Sequence, residues 1–213
     1  MPAFTRYCAL LGINDPLVLY LKKSDKLPQY ETRVPYTNVR YRRPRYEVVR
    51  FSEHDLPTLG DNGHMVRRSL IQRVYKNPYD YVHTDAFALL QRSGHSTFAI
   101  VRNSIIHYTG ESILIYFKRR IEYKKRYFDN SSRLREYKVF DSSSLRDQIH
   151  ILLYILYSLT FIEPLSRSVR GFVVKRDIAW FLHPVICFAG VLFYGYSEIR
   201  RLFQGRERVS VGI

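Results

Sequence analysis

IAWFLHPVICFAGVLFYGYS, residues 178–197, is an apolar run with no charged side chain, bounded by Lys175, Arg176 and Asp177 before it and by Arg200 and Arg201 after it. As a helix rising ~1.5 Å per residue, its roughly 20 residues cover ~30 Å, the hydrocarbon thickness of a bilayer. About nine Ile, Val, Leu and Phe side chains at ~−0.3 to −0.6 kcal/mol each favour insertion by on the order of 3 to 5 kcal/mol, enough to outweigh His183 and Pro184. The run is therefore expected to span a membrane. The competing reading is a buried core helix of a soluble protein.

Upstream, IHILLYILYSLTFIEPL, residues 149–165, is a second apolar run opened by His150 and closed by Glu163 and Pro164. At ~25 Å if helical it is marginal for a crossing, so one or two C-terminal spans are expected. Its alternative is a helix packed against partner subunits. The link after it carries Arg167, Arg170, Lys175 and Arg176, and the tail after the last span carries Arg200, Arg201, Arg206 and Arg208. Basic residues balance on the two sides, so their count sets no orientation.

The chain has 213 residues, and 34 Lys+Arg against 19 Asp+Glu give a net charge of +15. An anionic partner is expected, whether nucleic acid, anionic lipid or an acidic protein surface. Cys8 and Cys187 lie far apart, and Cys187 is inside the apolar run, which argues against a disulfide framework or a zinc site. The start, MPAFTRYCALLGINDPLVLYLKK, has the pattern of neither a secretory signal nor an Arg- and Ser-rich presequence. No removed leader is expected, and internal signals would deliver the chain to an organelle inner membrane.

Three regions follow. Residues 1–63 begin with the Asn14-Asp15-Pro16 helix-start signal and continue into Pro28, Pro35, Pro44 and Pro57 interleaved with Arg and Tyr, which predicts an extended Pro/Tyr/Arg-rich arm ordered by its neighbours. Its Arg40, Tyr41, Arg42, Arg43, Arg45 and Tyr46 are the candidate partner-binding residues. They mix guanidinium charge with aromatic faces as RNA-binding segments do, but an anchor on the same chain disfavours nucleic acid. Residues 64–145 are expected to be helical and basic: a helix over 65–75, a second starting at Thr84-Asp85, and a third over 95–108 where β-branched residues also suit a strand. An amphipathic helix over 111–128 lays Ile113, Leu114, Phe117, Ile121 and Phe128 on one side. Its Lys118, Arg119, Lys124, Lys125 and Arg126, with Arg167, Arg170, Lys175 and Arg176 of the link, are the candidate ligands of anionic lipid such as cardiolipin. A solvated basic face over a protein core is the other reading of that helix. Residues 146–213 form the membrane region and a basic tail, so the fold class expected is mainly α.

No catalytic motif is visible. The seven histidines form no HExxH and no paired spacing with a carboxylate, and GxGxxG, GxxxxGK[ST], GxSxG and CxxC are absent. His83 with Asp85 reads as a cap. No cofactor is expected, and the chain reads as a non-catalytic subunit. His183 and Glu163 are the residues to watch, because an ionisable group at membrane depth is a functional candidate by default. A helix kink, with the imidazole bonding a freed carbonyl, is the plainer account of the His-Pro pair.

The run Val191-Leu192-Phe193-Tyr194-Gly195-Tyr196-Ser197 and the tail through Arg206-Glu207-Arg208, with KKRYFDN at 124–130 upstream, resemble the C-terminal membrane helix of mitochondrial ATP synthase subunit f and its basic, Tyr-containing approach. The resemblance covers roughly an eighth of the chain. It implies a subunit of the membrane sector that packs beside the proton-conducting subunit and supports enzyme dimers, with no residue of its own in proton transfer. The expectation is a structural subunit of a mitochondrial inner-membrane energy-converting complex, with ATP synthase ahead of a respiratory-chain complex, bound to neighbouring subunits and to anionic lipid. The alternative is a basic RNA-binding subunit of an organellar ribosome.

Overall fold

The computed structural model describes residues 1–31, 38–59, 64–75, 81–101, 112–124 and 135–210. It is mainly helical with one small antiparallel sheet. The first residues are not extended. Phe4, Tyr7, Cys8 and Leu11 recur at three- and four-residue steps and form the buried side of α1 (Ala3–Leu11). Gly12 ends it in the left-handed region at φ 80°, where a Cβ would sit 2.8 Å from the Leu27 carbonyl oxygen. Asp15 then caps α2 (Pro16–Tyr20) by accepting from the Leu17 N–H, with Pro16 in the first helical position as the sequence predicts.

The expected arm over 1–63 thus holds two helices, and two strands follow them. Strand β1 (Val39–Arg42) pairs with β2 (Tyr46–Arg50), and β2 pairs on its other side with β3 (Thr97–Val101), opposing Val49 to Phe98. The predicted helix over 95–108 is therefore a strand where it is described, and residues 102–111 lie outside the described set. Alternation decides this: Phe98 and Ile100 face a core built on Val49, Phe51, Phe87 and Leu90, while Thr97, Ala99 and Val101 face out. Helices α3 (Arg68–Val74) and α4 (His83–Arg92) complete this head. Buried Asp85 anchors it from α4, accepting from the Arg135 guanidinium at 2.7 Å and the Tyr137 N–H at 3.1 Å.

The rest is built around the last helix. Helix α5 (Ile113–Lys124) matches the described part of the predicted amphipathic helix. The second apolar run is broken in two: α6 (Leu145–Thr160) and α7 (Ile162–Val174) meet at Phe161, which adopts φ 61°, and they bend by 79°. Glu163 and Pro164, expected to close the run, instead start α7, where Pro costs no hydrogen bond and an acidic side chain faces the positive end of the dipole. A single 3-10 turn (Ile178–Phe181), capped by Asp177, leads into α8 (Leu182–Ser210). Among the described residues, one helical segment, Ile178–Arg201, is long and apolar enough to cross a membrane, and the bent α6–α7 pair qualifies only if taken together.

A second core joins the two chain ends. Phe4, Tyr7 and Leu11 of α1 and Tyr116 and Phe117 of α5 pack with Trp180 and Ile186, and Phe117 stacks on Phe193 at 4.6 Å. Gly171 of α7 lets the Trp180 indole lie against its backbone, since a Cβ there would fall inside the ring.

Candidate functional site

The buried polar centre of the molecule is His183, one turn into the apolar run and 1% exposed. Its ring nitrogens face two tyrosines from the other end of the chain: the Tyr7 hydroxyl lies 2.7 Å from Nδ1 and the Tyr20 hydroxyl 3.2 Å from Nε2. Tyr20 has one proton and gives it to the Glu163 carboxylate. Its oxygen is left to accept from His183, which places the imidazole proton on Nε2 and makes Nδ1 the acceptor for Tyr7. The chain Tyr7 to His183 to Tyr20 to Glu163 therefore runs with every donor pointing the same way.

Glu163 is balanced by Arg167 one turn along α7. The Arg167 guanidinium also lies 5.1 Å from the centre of the Tyr20 ring and 3.1 Å from the Tyr30 hydroxyl, and 3.8 Å from the Glu31 carboxylate. Burial pushes the Tyr7, Tyr20 and Tyr30 hydroxyls above the ordinary tyrosine range, so all three stay protonated and able to donate. Burial likewise pushes the Cys8 thiol up to about 12, leaving it an inert apolar group.

A second polar joint lies further along α8. Asp15, while capping α2, accepts from the Tyr194 hydroxyl at 2.5 Å, and Tyr116 of α5 donates to the Asn14 carbonyl at 2.7 Å. At the start of α8 Asp177 accepts from the Ala179 N–H at 2.9 Å and pairs with Arg6 at 3.0 Å, which together hold its carboxyl below the ordinary range. Three polar joints, at positions 177, 183 and 194, thus tie α1 and α2 along α8.

The plainer account of His183, a bond to a backbone carbonyl freed by Pro184, gives way to a pair of tyrosines. With both ring nitrogens engaged, the imidazole offers no lone pair to a metal or haem iron. Among the described residues no group of three or more His, Cys, Asp or Glu is placed to hold a metal ion.

The candidate lipid ligands are distributed rather than gathered. Lys118 and Arg119 are exposed on α5, Lys124 pairs with Glu198 of α8 at 2.8 Å, and Lys125 and Arg126 lie outside the described residues. Arg170, Lys175 and Arg176 are exposed at the far end of α7, and Lys175 reaches the Gln29 side chain at 3.1 Å. Arg167 belongs to the His183 network. The candidate partner-binding residues do come together: Arg40, Tyr41 and Arg42 on β1, Arg43 and Arg45 in the turn, and Tyr46 on β2 form one hairpin. Tyr7 and Tyr20 carried no signal in the sequence, since each lies more than 160 positions from its partner.

No family model, characterised protein or solved structure matches this chain.

Proposed function

We propose that this protein is a non-catalytic, membrane-embedded structural subunit of a mitochondrial inner-membrane energy-converting complex, foremost the membrane sector of ATP synthase. The observation that carries the membrane part is the outward face of the last three helices. On α6 Leu152, Leu156 and Leu159 are 65%, 54% and 52% exposed, on α7 Ile162 and Val173 are 75% and 71% exposed, and on α8 Val185, Leu192 and Ile199 are 55–56% exposed. Full burial of such a side chain is worth about 1.5 to 3 kcal/mol, and each forgoes half or more of it by facing water, a cost that hydrocarbon removes. Glu163 and Arg167 of α7 and His183 of α8 turn inward and pair with one another and with Tyr7 and Tyr20, so they are not left unpaired among these apolar faces. The resemblance of residues 191–197 to subunit f supports the choice of complex.

In this reading α8 crosses the bilayer, α6 and α7 enter it as a broken pair, and α1 and α2 lie along α8 as its protein-facing cover. Arg170, Lys175 and Arg176 at one end, with Lys118 and Arg119 on α5, meet anionic headgroups such as those of cardiolipin.

Native membranes extracted with mild detergent, run on a native gel and analysed by mass spectrometry, test the assignment. Co-migration with ATP synthase and resistance to carbonate extraction are expected. Co-migration with respiratory-chain subunits would move the protein to another complex, and release by carbonate would remove it from the membrane. The variant Arg170→Gln/Lys175→Gln/Arg176→Gln is expected to retain less cardiolipin through purification, and unchanged lipid content would refute the headgroup contact.

A further inference from the structure

We propose that the β1–β2 hairpin is a docking surface for an acidic polypeptide segment of a neighbouring subunit, an inference that rests on the subunit reading above. Arg40, Arg42, Arg43, Arg45 and Arg50 fall within eleven positions, and all are exposed. Among the described residues only Arg42 has a carboxylate in reach, the buried Glu47 at 3.7 Å. By contrast Arg6, Arg92, Arg135 and Arg167 each pair with an acid of this chain. On the hairpin, the Arg50 guanidinium bonds the Ser96 hydroxyl, at 3.3 Å. A cluster of like charges with so little internal compensation raises the energy of the isolated chain and is relieved by an anionic partner.

The basic side chains of the hairpin are all arginine. A planar fork binds a carboxylate through two parallel N–H bonds and is less strongly hydrated than an ammonium, which suits a protein interface. The backbone that carries them is held in place. Strand β2 is bonded on both sides, to β1 and to β3, and Val48 and Val49 are buried. At the end of the hairpin away from its turn, a cavity of about 680 Å³ is bordered by Asn38, Arg40, Arg50, Ser52, Gln91 and Ser96, with no acidic residue in its lining among the described residues. The carbonyls of α4 that end beside it are already satisfied, since the His95 N–H bonds the Leu90 oxygen and the Gly94 N–H bonds the Gln91 oxygen. Acidic side chains of a partner would enter this cavity without meeting like charge.

Two alternatives fit less well. Single-stranded RNA would stack a base on a free aromatic face, but the Arg43 guanidinium already lies over the Tyr41 ring at 6.0 Å, and Tyr46 meets that ring edge-on at 77°. A bilayer surface is disfavoured because the hairpin belongs to the head core of Val49, Phe51 and Phe87, separate from the core that holds α8.

The test uses the full chain in nanodiscs of neutral lipid with three probes: a labelled peptide of alternating Glu and Gly, an oligouridylate of the same charge, and vesicles containing cardiolipin. Tighter binding to the peptide than to oligouridylate is expected, weakening as salt rises across the range where the Debye length shrinks to about 8 Å. The variant Arg40→Gln/Arg43→Gln/Arg45→Gln/Arg50→Gln should lose affinity about tenfold or more, roughly 1.4 kcal/mol, while Arg67→Gln/Arg68→Gln at the start of α3 should change it less than about twofold. Tighter oligouridylate binding, equal loss in the two variants, or no peptide binding would each overturn the proposal. Should the quadruple variant fail to fold, Arg43→Lys/Arg45→Lys keeps the charge and introduces amines that carbodiimide can join to a carboxylate. A cross-link in the native complex to an acidic segment of a neighbour supports the docking, and its absence counts against it. Vesicle binding and carbonate resistance are independent of the hairpin, so failure of the membrane reading would be seen separately.

Discussion

Tyr20 holds its place by a count of protons. Its hydroxyl accepts from His183 and donates to Glu163, so Tyr20→Phe strands a buried N–H and takes one donor from a half-buried carboxylate that keeps Arg167, whereas Tyr7→Phe strands only Nδ1. The first is expected to cost about 2 to 4 kcal/mol and the second about 1 to 3 kcal/mol. Unfolding midpoints in detergent should fall further for Tyr20→Phe, and the opposite order would show that the tautomer is reversed. Gly171→Ala would drive a methyl group into the Trp180 indole, with about 1 to 3 kcal/mol lost to overpacking. Asp177 sets an acid limit. Its carboxyl is held below the ordinary value, so the unfolded chain takes up protons first; the stabilisation is complete above about pH 4 and is lost as pH falls through the folded value. An Asp177→Asn variant should lose stability at neutral pH and show a flatter profile below about pH 4, and a profile parallel to the parent chain would contradict this.

At the scale of the element, local signals were honoured where they concerned ends of helices. Asp15-Pro16 starts α2 as its types require, and the Asp-Ser-Ser-Ser cluster at 141–144 ends in Ser144, whose side chain accepts from the Asp147 N–H to cap α6. Ser144→Ala is expected to cost about 1 kcal/mol, read as a lowered midpoint with the helix content of the native state unchanged. Interiors were less legible. Residues 97–101 satisfy both periods in isolation, and only a partner strand with Val49 opposite Phe98 selects the extended form. The apolar run 149–165 breaks at Phe161, a residue with no turn preference, whose backbone enters the left-handed region while its ring packs 5.2 Å from Phe188.

Across the whole molecule, the first 21 residues cover α8. Removing them would uncover Trp180, the single tryptophan and 1% exposed, together with Ile186 and His183. The truncated chain should therefore show red-shifted tryptophan emission, whereas the head around Val49 and Phe87 should keep its protection from protease, since its core takes nothing from α1 or α2. Unchanged emission would mean that α1 is not the lid of this core. The candidate docking face lies on that head and the apolar face on the last three helices, so the two proposed contacts rest on different cores.

By itself the sequence determined the properties that one continuous segment can hold. The length and apolarity of residues 178–197, the basic flanks, the amphipathic period of α5, the helix start at Asp15 and the Arg/Tyr density at 40–46 are all local, because hydrophobic period, charge and capping act within a few residues. The tertiary structure alone decided that residues 3–11 are a helix rather than part of an arm, that Arg167 serves a carboxylate and two tyrosines, and that His183 is flanked by Tyr7 and Tyr20. Those partners lie 163 and 176 positions away. Such contacts leave no local pattern, because what selects them is the cost of burying an imidazole without two hydrogen bonds, a cost that exists only once the chain has closed on itself.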